Sequence, residues 1–321
     1  MLKNTFNPRL GEPSSAPTTL SNLLDEYGTF ARRVRDLAEE TITQQLSYVN
    51  RFFTRQNISS SEELFQWLSP AHIQQFLFDY ANSSGSGSLR SMQVSLRSFL
   101  KFCRHQEYTL CDLSSAVPTF RTSPLKSIPK NIKDETIHLL LKSIDTSSPI
   151  GRRNLAIIQI LNSYGVRGKQ VRSLRLDHIH WQNNTIEFLP SKRGKAIIQH
   201  LTIDVGNSLI AYIRDGRPHN VPYPEVFLTS RPPFHPFKKA GSFSNIIVGC
   251  LKKASIDLPQ GTSRGTHSFR HAFATRLVGH VPLKHIADML GHRDFSSSFI
   301  YCKVDFNALS EAALPWPQED Q

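Results

Sequence analysis

The sequence predicts a mainly α-helical protein with a small antiparallel β-sheet, divided into a helical first domain and a mixed second domain. Four segments before residue 117 carry apolar residues at steps of three and four, a spacing typical of amphipathic helices. Three prolines then fall within a short stretch, and beyond it two alternating segments predict a β-hairpin among further helices. With 321 residues and 39% hydrophobic content, each domain can bury its own core.

The helical core domain is predicted over residues 20–117, after a disordered amino-terminal segment at 1–19. The stretch "NSSGSGS" at 82–88 is expected to form the loop before the fourth helix, because glycine and serine favour turns. The four predicted helices are 18–34, 41–56, 69–84 and 88–106.

The fourth predicted helix has two distinct faces. One face is apolar, and a separate row of cations is expected to point away from the core. This basic stripe consists of Arg90, Arg97, Lys101 and Arg104. Such a stripe suits DNA phosphates, although a simple solvated face is the alternative interpretation.

Residues 118–130 are predicted to link the two domains, since proline cannot continue a helix and favours extended chain. The mixed α/β domain is expected over residues 131–305, with a carboxy-terminal tail at 306–321. Within the mixed domain the predicted elements are helices at 133–144 and 151–165, a hairpin at 184–203 and helices from about 242.

The positive charge is concentrated in the second domain. The chain carries 38 Lys and Arg against 26 Asp and Glu, a net charge of +12. Residues 1–118 balance at 11 against 11, residues 119–305 carry 27 against 12, and the remainder adds three acids. This distribution favours a polyanionic partner such as nucleic acid, with a solvated surface as the alternative.

The sequence predicts a cytoplasmic protein. Its amino end has no apolar run that could act as a signal peptide, and no segment is long and apolar enough to span a membrane. The four cysteines have neither the spacing of a zinc site nor that of a disulfide framework. We therefore expect reduced thiols and no association with membranes.

Four local patterns carry residues suited to phosphate chemistry. The segment "SYGVRGKQ" places Arg167 at a glycine-preceded bend that enters a helix, and "PSKRGK" places Lys192 on the hairpin turn. The segment "THSFRHAF" places His267 and Arg270 three residues apart on one helix face. The last pattern, "LGHRDFSSSFIY", supplies His292 and Tyr301.

The order of these residues resembles the tyrosine recombinase family, also called the phage integrase family, including its Xer-like and transposon-borne members. The resemblance runs from about residue 20 to 305 and is strong in the second domain, while in the first it is architectural. It implies the catalytic set Arg167, Lys192, His267, Arg270, His292 and Tyr301.

Cleavage of a DNA phosphodiester by a phenol has three requirements. The phenol must lose its proton, the charge on the pentavalent phosphorus must be stabilised, and the leaving oxygen must gain a proton. Holding Tyr301 as a phenolate at pH 7 would cost about 4 kcal/mol, which neighbouring cations can offset. Arg167 and Arg270 offer forked donors for two phosphate oxygens, and such donors are typically worth about 10²–10³ in rate each.

Histidines titrate near neutrality, so His267 and His292 can donate to the phosphate or accept the phenol's proton. The resemblance implies that Lys192 is the general acid to the leaving 5′ oxygen, and Lys195 is the alternative donor on that turn. A covalent 3′-phosphotyrosine conserves the energy of the broken bond, so rejoining needs no cofactor, metal or ATP.

The chain departs from the family pattern at one position. The family usually carries an acidic residue three positions after its first arginine, and this chain has Gln170 there. Gly168 also follows Arg167 directly, which loosens the start of a helix. Both features put the reaction rate, or the dependence on a partner protein, in question.

The sequence leaves three alternatives to recombination. His267 and His271 are spaced like two zinc ligands, but the glutamate of the HExxH motif is absent. A type IB topoisomerase-like enzyme would use similar chemistry, although the helical first domain and short linker favour a recombinase. A non-catalytic DNA-binding accessory protein of the same family is the third alternative.

The resemblance also implies an assembly. We expect a clamp on double-stranded recombination sites, with four protomers on two sites, a monomer in free solution, and partner recombinases as a further option. The segment "ALSEAAL" in the tail can form a short helix that is exchanged with a neighbouring protomer or folded back on its own domain. The expected role is integration, excision or transposition of a mobile element.

Overall fold

A computed structural model describes residues 19–119, 132–190, 196–239 and 241–291. The chain divides into two compact units, Met1–Pro124 and Leu125–Gln321. The boundary between them falls within the segment predicted as the linker. Residues 120–130 of that segment, residues 1–18 and the tail lie outside the described residues.

The described part of the amino-terminal unit is helical, in agreement with the predicted fold class. A short 3-10 helix at Leu113–Ala116 follows the last α-helix. The α-helices are α1 Leu20–Arg33, α2 Glu39–Arg55, α3 Ser61–Trp67, α4 Pro70–Ser83 and α5 Ser86–His105.

Two features of this unit differ from the sequence prediction. Helix α3 was not predicted because its seven residues are too few for a periodic pattern, although Ser60 caps it by accepting a hydrogen bond from the Glu63 N–H. The predicted loop at 82–88 was too long, because α5 already begins at Ser86. The Ser88 hydroxyl lies 2.7 Å from the Tyr80 hydroxyl of α4, which holds this first turn in place.

The core of the amino-terminal unit is rich in aromatic rings from α1, α2 and α5. Tyr27 lies edge-on to Phe99, with ring centroids 5.5 Å apart, and its hydroxyl donates to Gln45 Oε1. Phe53 makes a similar edge contact with Phe99. Such rings bury large apolar areas and fix the positions of α1 and α2 relative to α5.

The carboxy-terminal unit combines helices with one three-stranded antiparallel sheet of order β1-β2-β3. The strands are β1 Ile179–His180, β2 Thr185–Phe188 and β3 Ile197–His200. The α-helices that the structure describes here are α6 Asp134–Ser143, α7 Pro149–Tyr164, α8 Gly168–Arg172, α9 Ile203–Asp215, α10 Ser242–Lys253, α11 Thr266–Leu277 and α12 Leu283–Leu290.

Strand β1 and helix α9 were not predicted. Strand β1 has only two residues, and its Ile179 pairs with Ile186 of β2. The predicted hairpin continued to residue 203, but α9 begins at Ile203, where Asp204 lies in its first turn. A carboxylate there favours the helix through the helix dipole, and apolar residues then follow at helical spacing.

Helix α7 is the central element of this unit, and most of its residues are buried. It packs against α6, α8, α9, α10 and α11. Because it is surrounded in this way, the carboxyl end of α7 is fixed and the loop that follows it starts from a rigid support. Among the described residues, no helix has the length and apolarity needed to cross a membrane.

Candidate active site

The first site residue follows a tight turn at the end of α7. Gly165 caps the helix with φ of 57°, a left-handed conformation that suits glycine. A Cβ at this position would lie 2.5 Å from Cδ1 of Phe273, so space also requires glycine. The chain then reaches Arg167, which is the N-cap residue of α8, so the predicted bend into a helix is present.

Arg270 reaches the same region from α11. Its side chain is buried, with 4% of its surface exposed. Nη1 donates to the Gly165 carbonyl at 2.9 Å, and Nη2 donates to the Leu290 carbonyl at 2.7 Å. These contacts tie the ends of α7 and α12 to the guanidinium.

Arg167 and Arg270 converge on the carboxyl end of α12. Nη1 of Arg167 lies 3.5 Å from the Gly291 carbonyl, next to the Leu290 carbonyl that Arg270 contacts. Two guanidiniums that share neighbouring acceptors concentrate positive charge in one place, as a phosphate site requires.

His267 lies one helical turn before Arg270 on α11, and its side chain is only partly exposed to water. Partial removal from water, followed by the positive charges of Arg270 and Arg167, lowers the pKa of His267 from its usual range. The imidazole is therefore held neutral near pH 7 and can both donate and accept a proton.

The neighbouring His271 also has a lowered pKa, caused first by burial and then by His267 and Arg270. The zinc alternative required a third ligand beside these two histidines. Within the part of the chain that the structure describes, there is no group of three or more His, Cys, Asp or Glu side chains able to hold a metal ion.

The end of α12 packs against the β-hairpin. Gly291 has φ of 62°, and a Cβ on it would lie 2.6 Å from Cδ1 of Ile197, the first residue of β3. The close approach of Ile197 therefore fixes the position of Gly291, the residue before His292. Lys192, Lys195, His292 and Tyr301 themselves lie outside the described residues.

Gln170, the departure from the family pattern, is buried with 2% of its surface exposed. Its Oε1 accepts a hydrogen bond from the Arg167 N–H at 3.0 Å, and its Nε2 donates to the Leu189 carbonyl at 3.2 Å.

The sequence pattern did not indicate the roles of the Gly165, Leu290 and Gly291 carbonyls, because backbone acceptors carry no residue-type signal.

The basic stripe of α5 is less uniform than the sequence predicts. Arg90, Lys101 and Arg104 are exposed, whereas Arg97 is half-buried. The Nη2 atom of Arg97 donates to the Val117 carbonyl at 2.8 Å and to Oγ1 of Thr119 at 3.2 Å. Arg97 therefore holds the chain that leaves this unit, a structural role that its position in the stripe did not indicate.

Comparison with known proteins relates the chain to integrases and recombinases. The family model described as the phage integrase family matches residues 130–308, more than half of the 321-residue chain. The relative y4rA of Sinorhizobium fredii, which carries a provisional integrase/recombinase name, is 33% identical over 306 residues, covering 95% of this chain and 73% of the relative. Tyrosine recombinase XerD of Listeria innocua is 27% identical over 290 residues, covering 89% and 95%.

Two solved structures share the fold. The recombinase XerH, bound to a palindromic difH substrate, aligns with a TM-score of 0.65 at 17% identity and covers 91% of this chain and 95% of its own. A lambda integrase dimer bound to a COC′ core site gives a TM-score of 0.66 at 14% identity, covering 94% and 80%. With the family match and the convergence of Arg167, His267 and Arg270, the chain belongs to the phage integrase family and is a tyrosine recombinase.

Proposed function

We propose that this protein is a site-specific DNA recombinase that cuts and rejoins strands through a 3′-phosphotyrosyl bond to Tyr301. The observation that carries the proposal is the convergence of Arg167 and Arg270 on the neighbouring Leu290 and Gly291 carbonyls, with His267 one turn from Arg270. This arrangement offers fixed donors to the non-bridging oxygens of one phosphate.

In the proposed reaction, the Tyr301 oxygen forms a bond to phosphorus while the bond from phosphorus to the 5′ oxygen breaks. The phenol's proton passes to a histidine, and Lys192 supplies a proton to the departing 5′ oxygen. Attack by another strand's 5′ hydroxyl reverses these steps and releases Tyr301. The number of phosphoester bonds is unchanged, so the cycle is reversible without ATP or a metal.

The proposed substrate is a pair of double-stranded recombination sites, with a tetramer on the pair. Support comes from solved relatives of the same fold, which include a lambda integrase dimer on a core site and a lambda integrase tetramer on a Holliday junction. We propose integration, excision or transposition of a mobile element in the cytoplasm, with the tail at 306–321 available for exchange between protomers.

The direct test is covalent trapping. The protein is incubated with nicked duplexes that carry the DNA flanking its own gene, so that the cleaved strand loses a short fragment and cannot be resealed. An SDS-stable protein–DNA adduct is expected from the wild type and none from Tyr301→Phe, which lacks the nucleophile. Phe306→Leu provides a control change in the same region of the chain.

The trapping experiment also separates the alternatives. Relaxation of supercoiled plasmids that lack any recombination site would favour a topoisomerase-like enzyme. Site-dependent DNA binding without an adduct would refute the recombinase and favour an accessory DNA-binding protein.

A further inference from the structure

One buried side chain connects Arg167 with the β-hairpin. Gln170 lies in the short helix α8, and its backbone N–H donates to the Arg167 carbonyl at 2.8 Å. Its amide oxygen accepts from the Arg167 N–H, and its amide nitrogen donates to the Leu189 carbonyl. Both faces of the Gln170 amide are therefore used, one toward each segment.

The donor face of this amide is the informative one. An ionised carboxylate can accept the Arg167 N–H but cannot donate, so it would lose the hydrogen bond to the Leu189 carbonyl. It would also bring negative charge against a carbonyl oxygen at a buried position, which raises the pKa of a carboxyl group. An acidic residue at position 170 would consequently serve only one of the two contacts found in this chain.

The hydrogen bond to the Leu189 carbonyl matters because Leu189 lies at the end of strand β2. Leu189 follows Phe188, the last residue of β2, which is fully buried and pairs with Ile197 of β3. Ile197 in turn contacts the position of Gly291, whose carbonyl is the acceptor for Arg167. The Gln170 contact thus completes a series of contacts that runs from Arg167 through strands β2 and β3 to Gly291 at the end of α12.

We propose that Gln170 is a positioning residue whose neutral amide locks the Arg167 turn to the end of β2. Through the Arg167 backbone it fixes the direction of a phosphate-binding guanidinium, and through Leu189 it fixes the end of strand β2, which precedes Lys192 in the chain. The inference rests on the proposed function and deepens it. It assigns to Gln170 a requirement for a hydrogen-bond donor that a carboxylate cannot meet.

The test compares rates of adduct formation in a single turnover for wild type, Gln170→Glu, Gln170→Met and Gln182→Glu between pH 5.5 and 8.5. At pH 8 we expect Gln170→Glu to be about 10- to 100-fold slower than wild type, because Arg167 is displaced from its productive position. As the pH falls, the ratio of the two rates should rise toward one, since a protonated carboxyl regains an O–H donor for the Leu189 carbonyl.

The other two variants provide the controls. Gln170→Met fills similar space without either hydrogen bond, so it should be slow at every pH. Gln182 is exposed in the same unit, so Gln182→Glu makes the same change in charge and should match the wild type. Thermal unfolding of each variant at each pH identifies any loss of rate that comes from unfolding.

Two results would overturn the proposal. One is a Gln170→Glu rate equal to or above the wild-type rate at pH 8, and the other is a rate ratio that does not change with pH. Hydrogen exchange gives a second readout, because the Arg167 N–H should be protected in the wild type and lose protection in Gln170→Met. Unchanged protection would also overturn the proposal. A wild type that forms no adduct would instead refute the proposed function, and the exchange result would still decide whether Gln170 holds Arg167.

Discussion

Arg270 has the surroundings that an anion-binding residue requires. Its buried guanidinium donates to two neutral carbonyls, those of Gly165 and Leu290. Carbonyl partners fix the plane of the guanidinium without cancelling its charge, whereas a carboxylate partner would neutralise it. The positive charge is therefore oriented and remains available to a phosphate.

Replacing Arg270 with lysine should abolish most activity although the charge is kept. A lysine is a single point donor and cannot reproduce the fork that spans two carbonyls. We expect the rate of adduct formation to fall at least about 100-fold. The free energy of unfolding should drop by about 1–3 kcal/mol, because a buried carbonyl loses its donor. Arg264→Lys, at an exposed position before α11, should change neither quantity in single-turnover and urea-unfolding measurements.

His271 should make the protein less stable in mild acid. Burial and the nearby His267 and Arg270 lower its pKa in the folded state, so below about pH 6.5 the unfolded chain binds a proton that the folded chain does not. The free energy of unfolding should therefore be unaffected above this pH and should fall as the pH decreases below it. His271→Asn should show a smaller fall between pH 7 and 5.5 in urea titrations. An identical pH dependence in both proteins would contradict this assignment.

At the scale of elements, the sequence predicts long periodic segments well and short ones poorly. Helices α1, α2, α4, α5, α6 and α7 lie close to their predicted positions because their apolar faces repeat over several turns. Helix α3 and strand β1 are too short to show a period, and α9 was obscured by the apolar residues that continue from β3.

The residue types of the site could be predicted from the sequence, but their support could not. Arg167 and Arg270 were predicted from the order in which several local patterns follow one another, while the carbonyls that hold them depend on how α7 and α12 end. From the sequence, Gln170 was expected only to put the reaction rate in question. Its hydrogen bond to the Leu189 carbonyl could not be foreseen because the two residues are distant in sequence. Contacts of this kind follow from packing, which no local pattern records.

The turn at the end of α12 should be sensitive to one added methyl group. Gly291→Ala places a Cβ 2.6 Å from Cδ1 of Ile197 and requires a positive φ, so we expect a loss of about 1–3 kcal/mol in stability and slower adduct formation. Gly249→Ala is the matched control, since its Cβ would meet no atom within 4 Å in helix α10. It should be stabilising by about 0.5–1 kcal/mol. Equal effects in thermal unfolding would contradict the steric argument.

At the scale of the whole molecule, the two units have separate hydrophobic cores and different charge. One core contains the aromatic residues of α1, α2 and α5, and another surrounds α7. The positive excess lies in residues 119–305, whereas residues 1–118 are balanced. A balanced unit can still contact DNA if its cations are gathered on one surface, as they are on α5.

The basic stripe should therefore contribute to the salt dependence of DNA binding without dominating it. Removing Arg90 or Lys101, both exposed, should reduce the slope of log K against log salt by about 0.9 each and leave stability unchanged. Arg97→Ala should in addition lower the unfolding temperature, because Arg97 holds Val117 and Thr119. Arg32→Ala is the control, since Glu39 already neutralises that side chain. Slopes unchanged in fluorescence-anisotropy titrations of Arg90→Ala and Lys101→Ala would mean that α5 does not follow the phosphates and that binding depends on the charge of residues 119–305.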